Sequence, residues 1–284
     1  SASEAATATG RTGSGGGGRD QAKWSSHAPC VAWFRAEMRG NHGFGSPADG
    51  RYSTGSPGVS QDVRRSRKPI VIASRRSRLA RVQAEMVARS LAKLHPTVEI
   101  TFNWIESEGD RHTGVMLAQH GGKGLFTGAL ERAVLAGQAD LAVHSLKDLP
   151  AENTPGLALA AIPPRADVRD CLIARDGATT IADLPRGALF GTSSPRRAAQ
   201  VLRQRPDLRV ALLRGNVDTR LRRVLDHDAG PTAPRYDATL LAAAGLSRLG
   251  LTEYLQHAIA ADELLPAACQ GALAVQCRAD DHVT

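Results

Sequence analysis

Apolar and polar positions fall into two blocks of alternating short runs and helical stripes, divided by Pro163-Pro164. In the first block Ile70-Val71-Ile72-Ala73 is an apolar run between Lys68-Pro69 and the turn Ser74-Arg75-Arg76-Ser77, and reads as a strand. Leu79, Val82, Met86, Leu91 and Leu94 then recur near helical spacing, and His95-Pro96 stops the helix they predict. Val98 to Ile105 reads as a second strand. Gly121-Gly122-Lys123-Gly124 is a flexible turn, followed by a helix from about Phe126 to Ala136. Gly137 ends that helix, and Asp140-Leu141-Ala142-Val143 reads as a buried strand. Pro150 cannot serve a ladder, so this strand stops within His144-Ser145-Leu146-Lys147-Asp148-Leu149-Pro150 and leaves Lys147 and Asp148 at its carboxyl edge. In open α/β sheets ligands gather at that edge. On these residues alone, a Lys-Asp pair on a turn is more often a solvated surface feature.

The second block repeats the pattern. Ala188 to Gly191 is a strand, Thr192-Ser193-Ser194 a turn, and Pro195 suits the first position of a helix carrying Ala199, Val201 and Leu202. Val210 to Leu213 is a strand, Arg214-Gly215-Asn216 a turn, and Thr219 to Leu225 a helix. Ala238 to Ala243 is a strand ending at Gly245. A loop from Pro266 to Gly271 leads into a last strand, Ala272 to Cys277. Strand–helix alternation in two blocks predicts two α/β domains with mainly parallel sheets.

Residues 1–68 break the pattern. They hold 12 of the 28 glycines and no sustained period, and such a segment cannot bury enough apolar surface to order itself. The expectation is a disordered head with no part in catalysis. A transit peptide, an expression remnant and a misplaced start remain open as its origin.

The formal charge of +8 suggests nucleic acid until it is divided along the chain. The head carries 10 Lys+Arg against 5 Asp+Glu, and residues 69–284 carry 26 against 23, so the body is only mildly basic. That argues against a nucleic-acid partner. Cys30, Cys171, Cys269 and Cys277 form no Cys-x-x-Cys pair, which removes the usual metal spacing and favours a reducing cytosol. No apolar run is long enough to span a membrane.

Three strand-to-helix junctions share one chemistry: Ser74-Arg75-Arg76-Ser77, Thr192-Ser193-Ser194-Pro195-Arg196-Arg197 and Arg214-Gly215-Asn216. Each sets hydroxyl or amide groups and helix N-terminal N–H groups beside arginine. A cation in a first turn is disfavoured by about 0.3–1 kcal/mol unless an anion offsets it. Guanidinium forks suit carboxylates. The other reading is three capped helices with solvated arginines. Gly121-Gly122-Lys123-Gly124 lacks the spacing of a phosphate-binding loop. In an arginine-lined cleft Asp148 would repel an anion, so its use is to handle a proton or a developing cation. A plain salt bridge is its alternative.

These motifs, with Gly121-Gly122-Lys123-Gly124-Leu125-Phe126-Thr127, Leu213-Arg214-Gly215-Asn216 and Gln270-Gly271-Ala272, resemble in order and spacing the hydroxymethylbilane synthase (porphobilinogen deaminase) family over about residues 69–284. The resemblance implies two periplasmic-binding-protein-like domains, one from 69–167 with 263–284 and one from 168–262. It implies a transferase that joins four porphobilinogen molecules head to tail with loss of ammonia, giving the linear tetrapyrrole of haem biosynthesis. It also implies a dipyrromethane cofactor, on which the chain grows, and a cytoplasmic monomer. Asp148 matches the catalytic aspartate. Arg75, Ser77, Lys147, Ser193, Arg196, Arg197, Arg214 and Arg220 match positions that hold cofactor and substrate carboxylates, and Gln83, Lys123, Phe126, Thr192, Gly215 and Asn216 accompany them.

Three departures stand out. The family's cofactor cysteine belongs to a Gly-Gly-Cys loop of a third domain, and none of the four cysteines here has that context; Cys269, just before Gln270-Gly271, is a poor substitute. The sequence as given is therefore read as domains 1 and 2 only, and as an inactive fragment unless completed. Pro195 replaces the commoner Leu, and Asp228 to Pro234 lengthens a surface loop. The competing expectation is a non-catalytic receptor for a multivalent carboxylate or other anion, which would have no use for an acid at position 148.

Overall fold

The computed structural model describes residues 68–107, 127–226 and 234–282. The head, the turn 121–124, Phe126 and most of the 228–234 loop lie outside these residues, as do the expectations attached to them.

The first block builds β1 (Ile70–Arg75), α1 (Arg78–Leu94), β2 (Ile100–Ile105), α2 (Gly128–Leu135), β3 (Leu141–Ser145) and β4 (Leu157–Ala161). The second builds β5 (Asp170–Ala174), β6 (Leu189–Gly191), α3 (Pro195–Gln204), β7 (Arg209–Ala211), α4 (Val217–Leu225), β8 (Ala238–Ala242) and α5 (Ala243–Arg248), and β9 (Leu273–Arg278) follows. Two sheets result, in the orders β2-β1-β3-β9-β4 and β5-β8-β6-β7. β9 returns to the first sheet, lying antiparallel between β3 and β4.

The parallel pairings are β1 with β2 and β3, and β6 with β7 and β8. β4, β5 and β9 pair antiparallel, so each sheet is a parallel centre with antiparallel additions. β4 and β5 have no counterpart in the sequence expectation. β4 is Leu-Ala-Leu-Ala-Ala, too weak in β-branched residues to announce a strand. The expected strand to Ala243 ends at Ala242, and Gly245 lies inside α5, buried, where a Cβ would sit 3.5 Å from Leu79 of α1.

Each sheet is covered on both faces, as period-two alternation requires. In β1, Ile72 joins Val87, Val143, Leu273 and Val275 under α1, while its neighbour Ala73 joins Leu130, Val134 and Ala142 under α2. In β5, Leu172 packs with Phe190, Val201 and Leu240, while Cys171 and Ile173 pack with Leu221, Val224 and Leu246. Cys171 and Cys277 are buried, as small packing residues.

Candidate active site

The carboxyl ends of β1, β3 and β6 and the amino ends of α1, α3 and α4 meet around a cleft of about 870 Å³. Arg75 closes β1, and the Ser77 hydroxyl caps α1 by accepting from Ala80 N. Ser194, one residue beyond Ser193, caps α3 by accepting from Arg197 N. Ser193 is therefore not the cap and lines the cleft. Gly215 takes φ +113°, which a side chain would resist, and its carbonyl accepts from Arg220 Nε at 2.8 Å. That bond sets the guanidinium against the cleft wall.

Eleven of the expected site residues line this space: Arg75, Ser77, Gln83, Lys147, Asp148, Ser193, Arg197, Arg214, Gly215, Asn216 and Arg220. Lys123 and Phe126 lie outside the described residues. Two other expected residues are not among those lining the cleft. Arg196 donates to Asp170 Oδ2 (2.7 Å) and to the Leu265 carbonyl. Thr192 is buried, and its hydroxyl accepts from Ser194 N at 3.1 Å to shape the turn. Ser145 was not anticipated. It lines the cleft and meets Gln83, whose Nε2 lies 3.1 Å from its Oγ.

Lys147 and Asp148 lie in a single turn of 3-10 helix, Leu146–Asp148, directly after β3. Both reach solvent, yet protein surrounds them closely enough to withdraw bulk water. Desolvation raises the Asp148 pKa, against the through-space pull of Lys147, Arg75 and Arg220. Desolvation and then Arg197 lower the Lys147 pKa to about 8, with Asp148 and Asp170 opposing. Arg220 is lowered to about 10 by burial, then by Arg197, with Arg214 adding to it. Two cations whose pKa values are held down by burial and by neighbouring arginines thus border one open space.

A model of the family described as "Porphobilinogen deaminase, dipyromethane cofactor binding domain" matches residues 70–284. The chain belongs to the porphobilinogen deaminase family. It is 47% identical over 218 residues to the porphobilinogen deaminase of Streptococcus sanguinis, covering 76% of this chain and 69% of that one. To the enzyme of Syntrophotalea carbinolica it is 48% identical, covering 75% and 65%. The chain thus spans about two thirds of the length of these relatives. It is also similar to the periplasmic aliphatic sulphonate binding protein SsuA from Escherichia coli, at 15% identity over 74% of this chain and 61% of that one, with a TM-score of 0.38.

The cleft's donor set fits the family's cofactor. Lys147 and Arg220, with pKa values depressed by burial and neighbouring cations, suit a carboxylate-bearing dipyrrole that would relieve that repulsion. A covalent anchor is a separate matter. Among the described residues Cys171 and Cys277 are buried, and Cys269 is exposed outside the cleft lining.

Proposed function

We propose that this cleft is the condensation site of a hydroxymethylbilane synthase, a transferase joining porphobilinogen units head to tail with release of ammonia. The observation that carries the reading is Asp148, a carboxylate desolvated and ringed by Arg75, Lys147 and Arg220. A receptor for anions gains nothing from that acid.

The dipyrromethane cofactor, when bound, supplies the terminal pyrrole on which the chain of rings grows. Arg75, Arg197, Arg214, Arg220 and Lys147 hold acetate and propionate groups, with Ser77, Ser193 and Asn216 adding neutral donors. Asp148 accepts a hydrogen bond from the aminomethyl ammonium of porphobilinogen and so orients it as the leaving group. The carbon–nitrogen bond breaks, ammonia leaves, and the Asp148 carboxylate faces the azafulvenium cation so formed. The free α-carbon of the cofactor's terminal pyrrole would supply the nucleophile for the new carbon–carbon bond. The α-proton then passes to the Asp148 carboxylate.

In this reading residues 69–167 with 263–284 form the acid-bearing domain and residues 168–262 the arginine-bearing one. The protein works as a cytoplasmic monomer on a small-molecule substrate, without nucleic acid or membrane; no helix among the described residues is long and apolar enough to cross one. Porphobilinogen titrated into the protein by calorimetry tests the site. Saturable binding that is lost when Arg220 and Arg214 are both replaced by Met supports it, and undiminished binding by that variant sinks it.

A further inference from the structure

Gln270 belongs to a motif that no step above uses, yet its side chain is 1% exposed and hydrogen-bonded at both ends. Its Nε2 donates to Val168 O at 2.8 Å and to Asp170 Oδ1 at 3.0 Å, and its Oε1 accepts from Lys147 Nζ at 3.2 Å. The amide can point only this way. A carbonyl and a carboxylate accept, so the NH₂ must face them, and an ammonium only donates, so the oxygen must face Lys147.

Asp170 is fully buried at the start of β5 and takes four bonds. Oδ1 accepts from Arg197 Nη2 (2.6 Å) and Gln270; Oδ2 accepts from Arg196 Nη2 (2.7 Å) and Arg197 Nε (3.3 Å). Burial alone would raise its pKa, but Arg197 and then Arg196 hold it down to about 2. It is an anion at any working pH. The grip on Arg197 uses Nε and Nη2 and leaves Nη1 outside it, on a residue that lines the cleft.

The dyad is anchored from behind. Arg165 Nε donates to Gln270 O at 2.8 Å, and Arg248 Nη2 and Ala166 N donate to Gly271 O at 2.6 and 3.1 Å. Gly271 has φ +89° and would place a Cβ 2.4 Å from Ala166 O, so the two strands of chain crossing between the sheets touch here.

We propose that Asp170 and Gln270 are a positioning pair that joins Lys147, on the first sheet, to Arg197, on the second, and so fixes the separation at which the cleft accepts two carboxylates of a pyrrole ligand. The pair touches no ligand itself. Because it orients both cations from the protein interior, it sets affinity through them, and it does so only if the functional reading above holds. Replacing Gln270 removes an acceptor that favours the charged form of Lys147, while Asp148, Asp170, Arg197 and Arg220 still face that lysine.

Porphobilinogen binding to the 284-residue chain, measured by calorimetry from pH 6 to 9.5, tests the pair. Gln270→Met should weaken binding about 10-fold and move the alkaline loss of binding to lower pH, a shift that loosened packing alone would not give. Asp170→Asn should weaken it further; if circular dichroism shows that variant unfolded, Gln270→Met decides alone. Unchanged affinity and pH limb in Gln270→Met overturn the inference and leave the functional reading standing. Failure of the unsubstituted chain to bind porphobilinogen overturns both.

Discussion

Arg78, the first residue of α1, reaches Asp218 in the first turn of α4, with Nη1 3.2 Å from Oδ1. The pair joins helices from the two sheets, and Arg78 Nη2 adds a bond to Leu249 O at 3.4 Å. Both partners are about half exposed, so water and salt weaken the attraction, and such pairs contribute about 0.2–1 kcal/mol. Asp218→Asn should therefore move the urea midpoint only slightly, and less still in about 0.5 M salt. A loss above about 2 kcal/mol would mean that the contact is not the surface latch described here.

Asp148→Asn keeps the shape and removes the carboxylate charge that faces the leaving ammonium and the cation it leaves behind. Turnover of porphobilinogen in a protein carrying the complete cofactor site should fall roughly 10²–10⁴-fold, with affinity little changed. Activity near that of the parent would take Asp148 out of the chemistry.

Acid stability has a defined direction. His144 is buried, and desolvation lowers its pKa from 6.5 to about 4, with the neighbouring Gln276 side chain opposing the shift and Arg75 adding to it. Between those values the unfolded chain binds more protons, so stability falls as pH drops from 6.5 towards 4, by up to roughly 3 kcal/mol. Asp170 acts lower down. Its folded pKa of about 2 gives stability that is present above 3.8 and lost as pH falls through 2. Urea titrations at pH 7 and pH 4.5 should show a drop that His144→Gln diminishes; an identical drop in that variant would assign it elsewhere.

Two glycines with similar dihedrals should respond unequally to alanine. Gly137 has φ +69° and nothing within 4 Å of the point a Cβ would occupy, so Gly137→Ala meets only the left-handed penalty of about 1 kcal/mol. Gly271→Ala meets that penalty and the Ala166 carbonyl as well. Its thermal midpoint should fall by clearly more, and equal shifts would contradict the close crossing of the chain at Ala166.

The legible parts of the sequence were those where one local rule acts alone. Ile70 to Ala73 announces β1, His95-Pro96 ends α1 beside its observed limit, and Pro195 opens α3. β4 stayed hidden because its alanines are defined by pairing with β9, more than a hundred residues away. The basic cleft was legible because three junctions repeat one composition. The fate of Arg196 was not, since nothing near it in sequence reveals that Asp170 and Leu265 would claim it. Gln270 drew notice only as part of a motif; its partners Lys147, Val168 and Asp170 come from both sheets.

The place of β9 orders events during synthesis. β4 has no neighbour in the first sheet except β9, so it cannot dock until residues 273–278 have left the ribosome. By then every strand of the second sheet, β5 through β8, is already available to pair. The first sheet thus waits for its last strand until every strand of the second has been synthesised, and the acid-bearing turn after β3 gains its neighbour β9 only then.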